Sequence, residues 1–328
     1  MIAKLFIKQL IILVYKSSIM VGGQAVMGGV MMRVPGFYAT AVRDKHGALH
    51  MHRESIQPLA EKYNMNKIPI IRGFLHLVDS MKIGFKELDW SAKIIDPQEK
   101  SGKLQDILVS IFSIVFTVSL FMGIPYFLTE ISLQSQTYFN HNQINFNIFA
   151  GFLRIVVFLL YLFFLSQLKE IKTLFEYHGA EHKAVYNFES GKKISIQNAQ
   201  TFSTKHPRCG TSFVFILMIV TIFTYSIIDS VFVYITMIEL NMLLRIALHL
   251  CFLPIVSGIG YEVLKFLARK QNNVFFRSLS LPGLWLQYIT TKEPNDEQVE
   301  VSIAALHEAF GEKITTYEGQ KFQADAIG

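Results

Sequence analysis

Charge is sparse in this chain. Asp, Glu, Lys and Arg make up only 17% of its 328 residues, against roughly 25% in an ordinary soluble domain. Cysteine is scarcer still. Cys209 and Cys251 are the two present, too few for a disulfide-stapled secreted fold. Cys251 sits in an apolar run, where a thiol behaves as a small hydrophobe. Repeats and low-complexity tracts are missing too, which excludes a repeat architecture. Apolar residues fill the space: 51% of the chain, with 28 Phe and 13 Tyr, at a mean hydropathy of +0.35. That balance belongs to the membrane class.

Four apolar stretches approach or exceed the roughly 20 residues that cross a hydrocarbon core, at about 107–129, 148–168, 211–235 and 242–264. Arg154, Asp229, Arg245, His249 and Glu262 fall within them. Those lying deep are expected to face protein or a polar cavity instead of lipid. Pro125 and Pro254 are expected to kink their helices. Lysine and arginine set the orientation. The connection ISLQSQTYFNHNQINFN has neither, whereas the next one carries Lys169, Lys172, Lys183, Lys192, Lys193, Lys205 and Arg208. Lys93, Lys100 and Lys103 precede the first stretch, and Lys265, Arg269 and Lys270 follow the last. The positive-inside rule therefore puts both termini and the 169–210 loop in the cytoplasm. The expected place is the inner (plasma) membrane, multi-pass, with the lipid bilayer as a partner.

The expected fold is mainly α, a polytopic membrane protein of about four transmembrane helices with a small cytoplasmic N-terminal part. In that part residues 37–55 alternate around Lys45-His46-Gly47 and read as a β-hairpin. Residues 56–95 read as helical segments interrupted near Pro69. Asn295, three residues before Gln298, opens a capped helix with an apolar-periodic run from Val299 to Phe310. The chain divides into an extension or interfacial helix (1–20), a cytoplasmic N-terminal region (21–104) and a first transmembrane pair (105–168). A cytoplasmic loop (169–210), a second pair (211–265) and a cytoplasmic C-terminal region (266–328) follow. Residues 1–20 keep two readings: an interfacial amphipathic helix, or an extension ahead of a true start at Met20. Their apolar core is too short to span, and no A-x-A-like cleavage site follows it.

Chemistry concentrates in His178-Gly179-Ala180-Glu181-His182. On a helix, residues four apart share a face, so both imidazoles can reach one ion. Glu181 can orient a water or move a proton beside it, as in the H-x-x-E-H arrangement of metallohydrolases. The bland reading is a juxtamembrane helix whose polar side meets headgroups. A catalytic zinc takes three protein ligands and keeps one position open. The same loop offers His206-Pro207-Arg208-Cys209, whose imidazole and thiol are good zinc donors. Otherwise Pro207 merely sets a turn and Cys209 packs at a helix entry. Arg208 suits an anionic headgroup or phosphate, or serves as a positive-inside anchor. His50 and His52 form a second-ranked pair on a hairpin edge. The run Gly22 to Arg33 has glycines but lacks the G-K-[ST] of a phosphate loop, with no strand before it; tight backbone packing is the expected role.

Six segments carry a resemblance: GGQAVMGGVMMR (22–33), IPIIRG (68–73), EYHGAEHKAVYNFE (176–189), HPRCGTSF (206–213), SGIGYEVLK (257–265) and PGLWLQYITTKEPNDEQVEVSIAAL (282–306). In this order the chain resembles the YqhQ-like bacterial membrane proteins (domain of unknown function 1385), often described as predicted metal-dependent enzymes. The resemblance runs from residue 22 to about 310. It implies that His178, Glu181, His182, His206 and Cys209 stand at the pattern's polar positions. Gln24, Gly28, Arg33 and Glu262 lie in the same matched stretches. Where the family typically reads Met-Glu-Gly-Val, this chain has Met27-Gly28-Gly29-Val30. A glutamate acting there as ligand or base would be missing; a glutamate capping a turn would matter little.

Two functions are expected from these residues. The first is a zinc-dependent membrane hydrolase at the cytoplasmic face. In it His178 and His182 bind the ion, Cys209 or His206 completes the set, and Glu181 is the base, acting on a membrane-surface substrate. The second is a non-enzymatic scaffold or regulator that binds a protein partner and holds a structural metal or none. No nucleic-acid partner is expected.

Overall fold

The computed structural model describes residues 21–97, 102–133, 143–207, 209–269, 273–279 and 281–322. Residues 1–20, with both readings of them, and Arg208 lie outside the described residues.

The N-terminal part is a four-stranded antiparallel meander, β1 (Gly22–Val26), β2 (Gly29–Val34), β3 (Phe37–Arg43) and β4 (Leu49–Ser55), in that spatial order. The expected hairpin is β3–β4, turning at Gly47 with φ +87°. The glycine-rich run holds a further hairpin, β1–β2, whose two-residue turn needs Gly28 at φ +67°. Its glycines depress strand propensity, so the run reads as a loop.

The sequences of β2 and β3, GVMMRV and FYATAVR, are largely apolar without clean alternation because the sheet is covered on both sides. On one face Val26, Met31, Tyr38 and Val42 meet Leu88, Ile94 and Ile95 of α1 (Ile71–Ile95). On the other, Val30, Met32, Val34 and Ala41 meet residues from two distant helices. These are Val185 and Phe188 of α5 (Lys169–Glu189) and Val301, Ala305 and Leu306 of α10 (Asp296–Phe310). The three non-membrane regions of the chain thus share one layered core. The expected capping box closes α10: the Asn295 side chain accepts from Gln298 N–H and the Gln298 side chain from Asn295 N–H.

Four helices are long and apolar enough to cross a membrane, over Leu104–Ser132, Gln143–Leu165, Val214–Thr236 and Met242–Leu267. The first combines α2 (Lys103–Val118), a π-helical turn (Ser119–Gly123) and α3 (Ile124–Leu133). The π-helical turn falls just before Pro125, where a helix must absorb a missing N–H. The others are α4 (Gln143–Leu165), α7 (Gly210–Thr236) and α8 (Met242–Arg269). Pro254 sits inside α8 without ending it.

The deep charges do face protein. Asp229 of α7 is fully buried and accepts from Arg245 (2.5 Å), His249 Nε2 (2.9 Å) and Asn147 Nδ2 (2.8 Å). Tyr126 reaches His249 Nδ1 at 2.5 Å, and Tyr225 stacks on its ring. A buried ion pair holds only when its remaining valences are filled in this way.

The sheet domain is fastened to the last span at one place. Ile70 carries φ +56° and its neighbours Ile71 N–H and Pro69 carbonyl close a γ-turn, a strained arrangement for a β-branched residue. That turn lets Gly73 lie against Tyr261 and Gly258 against the Ile70 carbonyl. Arg72 then pairs with both oxygens of Glu262 at 2.7 and 2.6 Å.

Candidate metal centre and adjoining cavity

His178 and His182 lie on α5, which is buried along most of its length from Tyr177 to Phe188. The helix is therefore a core element, not a headgroup-facing surface helix. Gly179 accounts for the tightness. A Cβ there would overlap the carbonyl oxygen of Lys292, whose N–H donates to Phe175 O at 2.9 Å. That close approach brings the end of α9 (Leu281–Thr290) onto the helix, and the Thr290 carbonyl reaches His178 Nδ1 at 2.8 Å. The Thr204 carbonyl, in the loop between α6 (Ile196–Gln200) and α7, reaches His182 Nδ1 at 2.5 Å.

A carbonyl only accepts, so each Nδ1 carries a proton, and in the neutral ring it is Nε2 that presents the lone pair. The Nε2 of His178 turns toward Cys209. His178 Nε2 stands 3.1 Å from Cys209 Sγ, and the donor atoms of His178, His182 and Cys209 all lie within 4.8 Å of one another. A tetrahedral zinc would set N···S at about 3.6 Å, from bond lengths of about 2.0–2.1 and 2.3 Å. The residues fit such an ion on one further ground: His182 Nε2 is buried and has no hydrogen-bond partner. Carbonyls holding the far nitrogens are the support that metal-binding imidazoles ordinarily have.

Cys209 caps α7 and its sulfur accepts from Thr211 N–H at 3.4 Å. Its loop is clamped by Gln287, which accepts from His206 N–H (2.7 Å) and donates to His206 O (2.8 Å). His206 itself stands beside the cluster. Its ring is 5.6 Å from that of His182 and 4.3 Å from Tyr186, and its Nε2 is 3.6 Å from Glu189. Glu181 is buried, with Oε2 3.4 Å from His182 Nε2 and its stem against the Gly23 backbone of β1.

The other sequence candidates divide between two places. Gln24 and Arg33 line a cavity of about 590 Å3, together with Gly23, Arg72, His76 and Lys265. Glu262 adjoins it through Arg72. Burial lowers the Arg33 guanidinium from its ordinary value, against the pull of Asp79; burial first and Arg33 second lower His76. Gly28 lies elsewhere, at the opposite end of β1 from Gly23, beside Ile95 and the Arg43 carbonyl. A side chain there is placed for a turn and not for the histidines. His50 and His52 do not converge: His50 bonds Asp44 at 2.8 Å, and His52 stands 3.3 Å from Glu87.

Sequence reasoning had no route to Thr204 and Thr290, which act through backbone carbonyls. Gln287 did leave a signal, a lone amide in the apolar run LPGLWLQYIT.

A family model described as "Protein of unknown function (DUF1385)" matches residues 68–312. The "Uncharacterized protein YqhQ" of Bacillus subtilis (strain 168) is 33% identical over 320 residues, covering 92% of this chain and 95% of that protein. No solved structure matches.

Proposed function

The chain belongs to the DUF1385 family, whose description assigns no reaction, and from its site we propose a zinc-dependent integral membrane enzyme, a hydrolase at the cytoplasmic face. The single observation that carries this reading is the cluster of His178, His182 and Cys209, whose donor atoms lie within 4.8 Å of one another and in which the buried Nε2 of His182 has no hydrogen bond. His178 and His182 would hold the ion through Nε2, and Cys209 through its thiolate. A zinc ion so held lowers the pKa of a water toward neutrality and supplies the nucleophile. Glu181, 3.4 Å from His182 Nε2, is placed to take a proton at Oε2. Substrate access is supported by Gly23, which touches Glu181 and also lines the adjoining cavity. The lysine-rich 169–210 connection supports placing the site at the cytoplasmic face of the plasma membrane.

A non-enzymatic protein with a closed, structural zinc site is favoured by one observation. His206, its ring 5.6 Å from that of His182, lies close enough for a loop shift to supply a fourth ligand.

The test is metal analysis of the full chain purified in detergent after growth with zinc. About one zinc per chain is expected in wild type and in Glu181→Gln, and none in His182→Ala or Cys209→Ala. Wild type as metal-free as His182→Ala overturns both zinc readings and leaves a non-enzymatic scaffold that holds no metal. Cobalt-loaded protein separates them: an absorption change on adding azide indicates an open position, and an unchanged spectrum a closed site.

A further inference from the structure

The 590 Å3 cavity is a site in its own right. β1 and β2, the N-terminal half of α1 and the last turns of α8 enclose it, and its walls carry Arg33, Arg72, His76 and Lys265 against one carboxylate, Glu61. Arg72 is already neutralised by Glu262. Arg33 is not: it is half-buried, and its guanidinium makes no direct hydrogen bond or ion pair with any described residue, although the Asp79 carboxylate acts on it through space. The nearby Asp79 has turned one oxygen to Leu59 N–H at 2.7 Å. The buried Tyr261 ring supports two of the lining residues, with His76 stacked on it at 5.3 Å and Lys265 5.8 Å from its centre.

A partly desolvated guanidinium that lacks a direct ion pair is costly unless a ligand supplies one. Its planar fork matches the oxygens of a phosphate. The volume exceeds what a bare phosphate fills and suits a substituted one. Lys265 stands two residues before the end of the last membrane span at Leu267, the depth at which headgroup phosphates lie. We propose that this cavity binds a phosphate-bearing anion, a lipid headgroup or a soluble phosphate, with Arg33 as its principal contact and His76 and Lys265 beside it. This assignment does not depend on a metal at His178, His182 and Cys209.

The full chain in neutral detergent is titrated with inorganic phosphate, with dihexanoyl phosphatidic acid and with phosphate-free dihexanoylglycerol, reading affinity by calorimetry. Saturable binding of at least one phosphate probe is expected, weakened tenfold or more in Arg33→Gln and unchanged in Lys192→Gln on the surface. Binding of the phosphatidic acid alone makes the ligand a lipid; binding of inorganic phosphate makes it soluble. Should Arg33→Gln fail to fold, Lys265→Gln is expected to weaken the same probe. The proposal is overturned if neither phosphate probe binds, if the cavity variant that folds binds like wild type, or if dihexanoylglycerol binds equally well. Zinc content is measured on the same samples, so a failed metal centre and a failed anion site are told apart.

Discussion

Gly179→Ala pits two effects of opposite sign against each other. In a solvent-exposed helix the change would stabilise by about 1 kcal/mol through propensity alone. Here the new methyl group would fall far inside the 3.0 Å that Cβ contacts essentially never breach, and the atom it meets is the backbone oxygen of Lys292. The 290–292 segment must retreat. That stretches the Lys292 N–H bond to Phe175 O and the bond from His178 Nδ1 to Thr290 O. Each lost bond costs about 1 kcal/mol, and forced repacking adds about 1–3 kcal/mol. The balance is a loss of about 2–4 kcal/mol, so the clash wins. Thermal unfolding in detergent with excess chelator measures this term without any metal. With zinc present, the loss of the carbonyl behind His178 should also weaken metal affinity, by about 10–100-fold. A variant that melts higher than wild type in chelator would refute the close approach, and with it this account of why a glycine sits between the two histidines.

Asp229→Ala leaves Arg245 buried without its counter-ion and should cost about 3–5 kcal/mol, read by thermal unfolding in detergent; a change under about 0.5 kcal/mol would contradict the network. Gly28→Glu puts a side chain at φ +67° against Ile95, so it should lower stability by about 1–2 kcal/mol and leave zinc content as in wild type. A gain of metal would show that the hairpin turn reaches the histidines after all. Glu54 is held down at about 2, first by its bond to Lys86 and then by Tyr38. A carboxylate with a depressed folded-state value stabilises above its unfolded value and loses that contribution as pH falls through the folded one. Glu54→Gln should therefore cost under about 1 kcal/mol at pH 7, since the pair is partly exposed, and the difference should vanish as pH falls from about 4.5 to 2. A difference that persists at pH 2 would mean packing and not charge.

The membrane part was legible because its rules act locally. Span length and the pairing demanded of Asp229, Arg245 and His249 all follow from a 20-residue window and the dielectric around it. The α10 cap was legible for the same reason, since Asn295 and Gln298 satisfy each other three residues apart. The β1–β2 hairpin was not, because four glycines mask a strand whose stability comes from α1 and α5, far away in sequence. For the His178, His182 and Cys209 cluster, helical spacing brought the two histidines together and residue type brought in the cysteine. The choice between Cys209 and His206 was invisible. It turns on the Gln287 clamp, 81 residues from His206, which fixes the loop backbone and leaves His206 facing Glu189.

That long-range clamp also says why the matched segments are scattered. The IPIIRG and SGIGYEVLK segments meet where Gly73 and Gly258 let α1 and α8 touch, and Arg72–Glu262 locks the contact. The same contact forms one wall of the basic cavity, while its opposite wall, β1, presses Gly23 on Glu181. Cavity and histidines are thus joined through a single strand only five residues long. Moving the end of the last span relative to the sheet would change the cavity first, and Glu181 next through Gly23. If so, an occupied cavity should slow removal of zinc by chelator in wild type and have no effect on that rate in Arg33→Gln. A chelation rate indifferent to saturating phosphate probe in wild type would mean that the two sites share a strand without sharing free energy.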